Sequence, residues 1–129
     1  MSRITTHVLD TVLGKPAAGV AVRLEMQEGG GWMEVSTGEN PAIRVHDAPE
    51  PWTTISLGTT DKDGRCSDLG PDAREGVYRL TFYTGDYLAQ IGRTSIYPEI
   101  SITFTCAGDA HYHLPLLLSD NSYTTYRGS

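Results

Sequence analysis

Residues 19–26 read GVAVRLEM, and their reading decides the fold. Successive side chains of an extended strand point to opposite faces, so Val20, Val22, Leu24 and Met26 share one side while Ala21, Arg23 and Glu25 share the other. The stretch is a half-buried strand. The same alternation recurs in VYRLTFYT at 77–84, where Tyr78, Leu80 and Phe82 oppose Arg79, Thr81 and Tyr83. It recurs again in EISITFTC at 99–106, where Ile100, Ile102, Phe104 and Cys106 oppose Ser101, Thr103 and Thr105. Strands of this kind bury one face each, which predicts a two-layer sandwich.

Working outward, weaker strand candidates are ITTHVLD at 4–10, WMEVST at 32–37, WTTISLGT at 52–59, a short strand around Cys66, HYHLPLLL at 111–118 and SYTTY at 122–126. Turn chemistry separates most of them at Gly14-Lys15-Pro16, Gly29-Gly30-Gly31, Asp63-Gly64 and Glu75-Gly76. One short helix is expected, from Asp86 as N-cap to Gly92 beyond its end. The fold class is therefore all-β. The segment GENPAIRVHDAPEP at 38–51 carries several prolines and charges and reads as an exposed loop, with His46 solvated.

A chain of 129 residues makes one domain spanning 1–129, with a core large enough to need no disulfide or metal. The net charge of −6 and the pI near 5.0 argue against a nucleic-acid or anionic-membrane surface. The start MSRITTHVLD lacks the apolar core of a signal peptide, and no segment approaches a membrane span. The expected location is cytoplasmic, with the peroxisome open for a eukaryotic source although RGS is not a peroxisomal ending. Cys66 and Cys106 are expected to be reduced, buried packing residues.

Pro115 cannot donate a ladder hydrogen bond, which predicts that HYHLPLLL lies at an edge or is paired there on one side only. Leu114, Leu116, Leu117 and Leu118 nevertheless call for burial on both faces. Cover by another subunit reconciles the two, and predicts an oligomer.

His111 and His113 are two residues apart and share a face if HYH is regular strand. Neutral imidazoles can take a proton from water and return it to a leaving nitrogen near neutral pH. With His7 brought in by folding, the same pair would also make a three-histidine zinc site with an open position. Spacing alone does not separate these chemistries. Arg65, after the Asp63-Gly64 turn, is placed to grip a carboxylate-like or urate-like anion with two parallel hydrogen bonds, and Arg127 in the terminal YRGS offers the same group.

THVLDT and GKPAAGVAVRLE within 6–25, TTDKDGR at 59–65, HYHLPLLLS at 111–119 and YRGS at 126–129 occur together and in order. GDYLAQIGRTSIYPEISITF at 85–104 joins them. The chain resembles the 5-hydroxyisourate hydrolase family, the transthyretin-related enzymes of urate breakdown, over nearly its whole length. That resemblance implies a transthyretin-like sandwich of two four-stranded sheets with one short helix, assembled as a homotetramer, a dimer of dimers with active sites in the channel between dimers. It implies hydrolytic opening of the six-membered ring of 5-hydroxyisourate, a small-molecule substrate, to 2-oxo-4-hydroxy-4-carboxy-5-ureidoimidazoline, with no cofactor. Carried over motif by motif, it implies His7, Arg65 and His113 as catalytic residues and Tyr126, Arg127, Gly128 and Ser129 as the tail that closes the site. His111 matches the pattern as a supporting, substrate-side residue. The segment near 38–51 is longer than the family's short connection and reads as an insertion. Two other readings remain at this point: a carrier on the same fold, and a zinc-dependent hydrolase using the three strand histidines.

Overall fold

The computed structural model describes residues 1–28, 32–35, 43–46 and 52–128. In chain order the elements are β1 (Ser2–Asp10), β2 (Lys15–Pro16), β3 (Ala21–Gln27), β4 (Trp32–Val35), β5 (Ile43–His46), β6 (Trp52–Thr59), β7 (Arg65–Ala73), β8 (Gly76–Phe82), α1 (Thr84–Gln90), β9 (Ile100–Cys106), β10 (His111–Leu118) and β11 (Tyr123–Thr125). One sheet runs β6-β3-β8-β9. The other has five strands in the order β11-β10-β1-β2, with β7 also paired to β1. Four strand columns were expected there, and the extra strand comes from β2 and β7 sharing one edge of β1, β2 at Leu9 and Asp10 and β7 from Ser2 to His7.

The inward residues of the alternating stretches behave as expected. Val20, Val22, Leu24, Tyr78, Leu80 and Phe82 are buried, and Leu88 of α1 joins them. On the outer face Glu25 is also buried, because Arg79 directly across the ladder bonds its carboxylate at 3.0 Å while stacking 4.2 Å from the Trp52 ring.

Several sequence expectations change. The helix begins at Thr84, so Asp86 sits in its first turn and is not its N-cap. Its end is as expected: Gly92 takes φ +74°, and the N–H groups of Gly92 and Arg93 reach back to the carbonyls of Ala89 and Leu88. Within the expected loop, Ile43–His46 pairs antiparallel with β4; 38–42 and 47–51 lie outside the described residues. The strand at Cys66 is long, nine residues, and register shifts against β1 space its inward residues Cys66, Leu69 and Ala73 irregularly. Pro115 is paired on one side only, one of the two arrangements expected: it faces His7 on β1, while the β11 ladder runs from Leu116 to Leu118. β10 pairs β1 on one side and β11 on the other, and Leu114, Leu116 and Leu118 are only 7%, 0% and 2% exposed within the single chain. These three leucines therefore need no second subunit, whereas Leu117, on the other face, is only half-buried in the single chain.

At the end of β1, Asp10 is fully buried and anchors three other segments. The Arg93 guanidinium donates to both carboxylate oxygens, at 2.6 and 3.2 Å, and also bonds Asp120. Tyr87 of α1 donates to Asp10 at 2.9 Å, and the N–H groups of Val12 and Leu13 complete the shell. Burial pushes the carboxyl up, but the bonds from Arg93, Leu13 and Tyr87 together hold it below the usual aspartate value. Tyr87, buried beside that carboxylate, is pushed up to about 12.

Asp10→Ala leaves the Arg93 charge without its buried partner and is expected to cost about 3–5 kcal/mol, read as a lower urea midpoint. A shift worth less than about 1 kcal/mol would reduce the pair to a surface contact. Because the folded-state carboxyl titrates below the ordinary value of about 3.9, the unfolded chain binds the proton first. The stabilisation is complete above that value and is lost as pH falls through the folded-state value.

Candidate active site

Three neighbouring strands, β10, β1 and β7, present one outer face. Along β1 the even positions Ile4, Thr6 and Val8 are buried in the core, which turns Arg3, Thr5 and His7 outward. The parallel register sets Arg3 opposite His111, Thr5 opposite His113 and His7 opposite Pro115. On the other side, antiparallel pairing sets His7 opposite Arg65. Residues more than a hundred positions apart in sequence thus share one surface.

The turn before β7 aims Arg65. Asp61 accepts hydrogen bonds from the N–H groups of Asp63 (2.8 Å) and Arg65 (3.0 Å), which hold its carboxyl below the usual range. Gly64 adopts φ +76°, and a Cβ there would lie 2.4 Å from the Val8 carbonyl oxygen and 3.2 Å from the His7 ring. Only glycine lets this turn close against the histidine.

A cavity of about 290 Å³ opens on this face, lined by Arg3, Thr5, Thr6, Arg65, Ser67, His111 and His113. The Thr5 hydroxyl lies 2.7 Å from His111 Nε2 and 2.7 Å from His113 Nδ1. Burial, and then the neighbouring His111, Arg65 and His7, lower the pKa of His113, so its neutral form is favoured. His7 flanks the cavity without lining it. Its Nε2 is buried with no hydrogen-bond partner among the described residues, an arrangement that native structures rarely leave without a reason.

The tail divides. Gly128 donates its N–H to the His113 carbonyl at 2.7 Å, and a Cβ there would fall 2.9 Å from the His113 ring. Arg127 lies with its guanidinium 4.2 Å from the ring of Tyr112, which alternates with the two histidines along β10, and it is not part of the cavity lining. Tyr126 is exposed, and Ser129 lies outside the described residues. Sequence reading missed Arg3, Thr5 and Ser67. The available signal was period two, since Thr5 and Arg3 precede His7, and Ser67 follows Arg65, in steps of two.

Among the described residues, no three His, Cys, Asp or Glu side chains converge as a metal ion requires. Cys66 and Cys106 are free and buried; burial raises both thiols, Cys106 to about 11, which disfavours a nucleophilic thiolate. No helix among the described residues is long and apolar enough to cross a membrane.

Comparison with known proteins adds to this geometry. The family model described as "HIUase/Transthyretin family" matches residues 4–128. A 5-hydroxyisourate hydrolase from Salmonella dublin is 38% identical over 129 residues, covering 98% of this chain and 80% of that protein. Among solved structures, 5-hydroxyisourate hydrolase from Klebsiella pneumoniae superposes with a TM-score of 0.76 at 32% identity, covering 100% of both chains. Transthyretin from Sparus aurata superposes with a TM-score of 0.77 at 29% identity, covering 98% of this chain and 96% of that one. With the family model spanning nearly every residue and relatives aligned along almost the whole chain, this protein belongs to the HIUase/Transthyretin family.

Proposed function

We propose that the chain hydrolyses 5-hydroxyisourate, opening its six-membered ring to 2-oxo-4-hydroxy-4-carboxy-5-ureidoimidazoline in urate breakdown. The observation that carries this reading is the outer face on which His7, His113 and Arg65 meet around a polar cavity. A lining of arginine, histidine, threonine and serine suits a small anionic heterocycle better than an apolar cargo, which favours the hydrolase over a carrier.

His113, kept neutral, removes the proton of a water molecule as its oxygen bonds the ring carbonyl carbon, and His7, which flanks the cavity, helps to orient that water. The carbon–nitrogen bond then breaks, and the same proton goes to the departing nitrogen. Arg65 holds the anionic ring and offsets charge on the attacked carbonyl oxygen. Gly128, packed on His113, brings the end of the chain beside the site. The assembly inferred for it is a dimer of dimers whose channel covers this face. Two free thiols suit a reducing compartment, the cytoplasm.

Ultraviolet decay of freshly generated 5-hydroxyisourate tests the reading. Acceleration by the protein is expected to survive a metal chelator; loss on chelation would return the zinc reading, and no acceleration by folded protein would favour the carrier. His7→Ala and His113→Ala are each expected to lower turnover by about 10²- to 10⁴-fold while remaining folded, the typical weight of a general base. Near wild-type rates in both would overturn their assignment. Because His113 must be neutral and its pKa is lowered, kcat/KM is expected to be level near neutral pH and to fall only below about 6.5, the ordinary histidine value. A midpoint above that value would contradict the role. Light scattering should return four times the 14.1 kDa chain mass, and a monomer would remove the channel.

A further inference from the structure

Thr5 is the residue on this face that touches two titratable groups at once. Its hydroxyl lies 2.7 Å from His111 Nε2 and 2.7 Å from His113 Nδ1. It sits on β1, which is paired on both sides, and is only 7% exposed; a β-branched side chain there has few rotamers to choose from. A hydroxyl has one proton to donate and lone pairs to accept with, so its orientation decides the protonation of both rings. If Thr5 donates to His113 Nδ1, neutral His113 carries its proton on Nε2 and cannot act there as a base. If His113 Nδ1–H donates to Thr5, Nε2 keeps its lone pair and Thr5 donates to His111 Nε2.

We propose that Thr5 is a positioning residue: its hydroxyl accepts from His113 Nδ1–H and donates to His111 Nε2, leaving His113 Nε2 free as the base and joining the two rings in one proton relay. Its catalytic meaning rests on the hydrolase reading above. The relay balances. When His113 Nε2 takes a proton from water, Nδ1 gives one to Thr5 Oγ1 as Thr5 gives its own to His111 Nε2. One proton has then moved from water to His111 with Thr5 unchanged, and the reverse transfers return it through His113 Nε2 to the departing nitrogen as the carbon–nitrogen bond breaks. The charged groups around His113 explain the direction of travel. His7 and Arg3 face the site from β1, Arg65 from β7 and His111 from β10, while Arg127 lies over Tyr112. A cation on the half-buried His113 meets these like charges and poor solvation, whereas His111 is exposed to water. The relay also gives His111 a role that needs no contact with substrate.

The test is heteronuclear NMR of the imidazole nitrogens in the substrate-free protein, with ring-opening kinetics beside it. Wild-type His113 is expected to be protonated on Nδ1. Thr5→Val should shift His113 toward the Nε2–H tautomer, move the acid limb of the rate profile, and lower kcat about 10- to 100-fold with little change in KM, the weight of one charge-assisted hydrogen bond. Thr5→Ser should recover both the tautomer and the profile. Unchanged tautomer and ring midpoints in Thr5→Val would overturn the proposal. Should Thr5→Val not fold, His111→Ala reads the coupling from its exposed end, and an unshifted His113 midpoint there overturns it equally. Failure of the hydrolase reading looks different: wild-type protein leaves 5-hydroxyisourate decay unaccelerated while the NMR arm still decides the coupling.

Discussion

The parallel pairing of β1 with β10 is the constraint on which the rest of the structure depends. It runs in unbroken register from Arg3 opposite His111 to Asp10 opposite Leu118. Parallel neighbours cannot be joined by a hairpin, and here most of the chain lies between the two strands. One register sets two surfaces. Ile4, Val8, Leu114 and Leu116 turn into the core, while Thr5, His7, His111 and His113 turn out of it. A slip of one residue would exchange those faces, placing imidazoles in the core and aliphatic side chains on the outer surface. The buried Thr6 hydroxyl, bonded to the Leu114 carbonyl at 2.6 Å, resists that slip.

The two ends of β1 treat polar groups differently. At its C-terminal end Asp10 is surrounded by Arg93, Tyr87 and backbone N–H groups, so a buried charge is matched and ties α1 and the β10–β11 turn to the sheet. Around His7 the accounting is left open among the described residues: Nε2 is buried without a partner, and the neutral form of His113 is favoured by burial and then by the neighbouring His111, Arg65 and His7, with no carboxylate bonded to the ring. A satisfied network rigidifies, whereas an unsatisfied group gains free energy when something binds it. The contrast separates scaffold from site within a single strand.

Charge follows the same division. The chain is acidic as a whole, with a net charge of −6, yet Arg3, Arg65, His7, His111 and His113 gather on one outer face. Local positive potential in a concave site can attract an anion although the molecule repels it on average. Asp61, in the turn before β7, accepts hydrogen bonds from backbone N–H groups, and it steers the loop that aims Arg65.

Much of the fold was legible in the sequence because burial on one face of a strand imposes period two. GVAVRLEM, VYRLTFYT and EISITFTC carried that pattern cleanly, and the motifs around His7, Arg65 and His113 pointed to one site. Legibility failed where local pattern and tertiary role part. β7 hid its length because register shifts disturb its spacing, Ile43–His46 was obscured by flanking prolines, and nothing around Pro115 announced that β11 pairs with the strand just beyond it. Thr5 was invisible as a functional residue because an alternating threonine has no chemical signature of its own. What the sequence determined by itself was the alternation, the turns and the chemical groups available, since these follow from local backbone and side-chain properties. Which groups meet was decided only by the tertiary structure, because strand register and a parallel crossover bring Thr5, His111 and His113 within hydrogen-bonding distance across more than a hundred residues of chain.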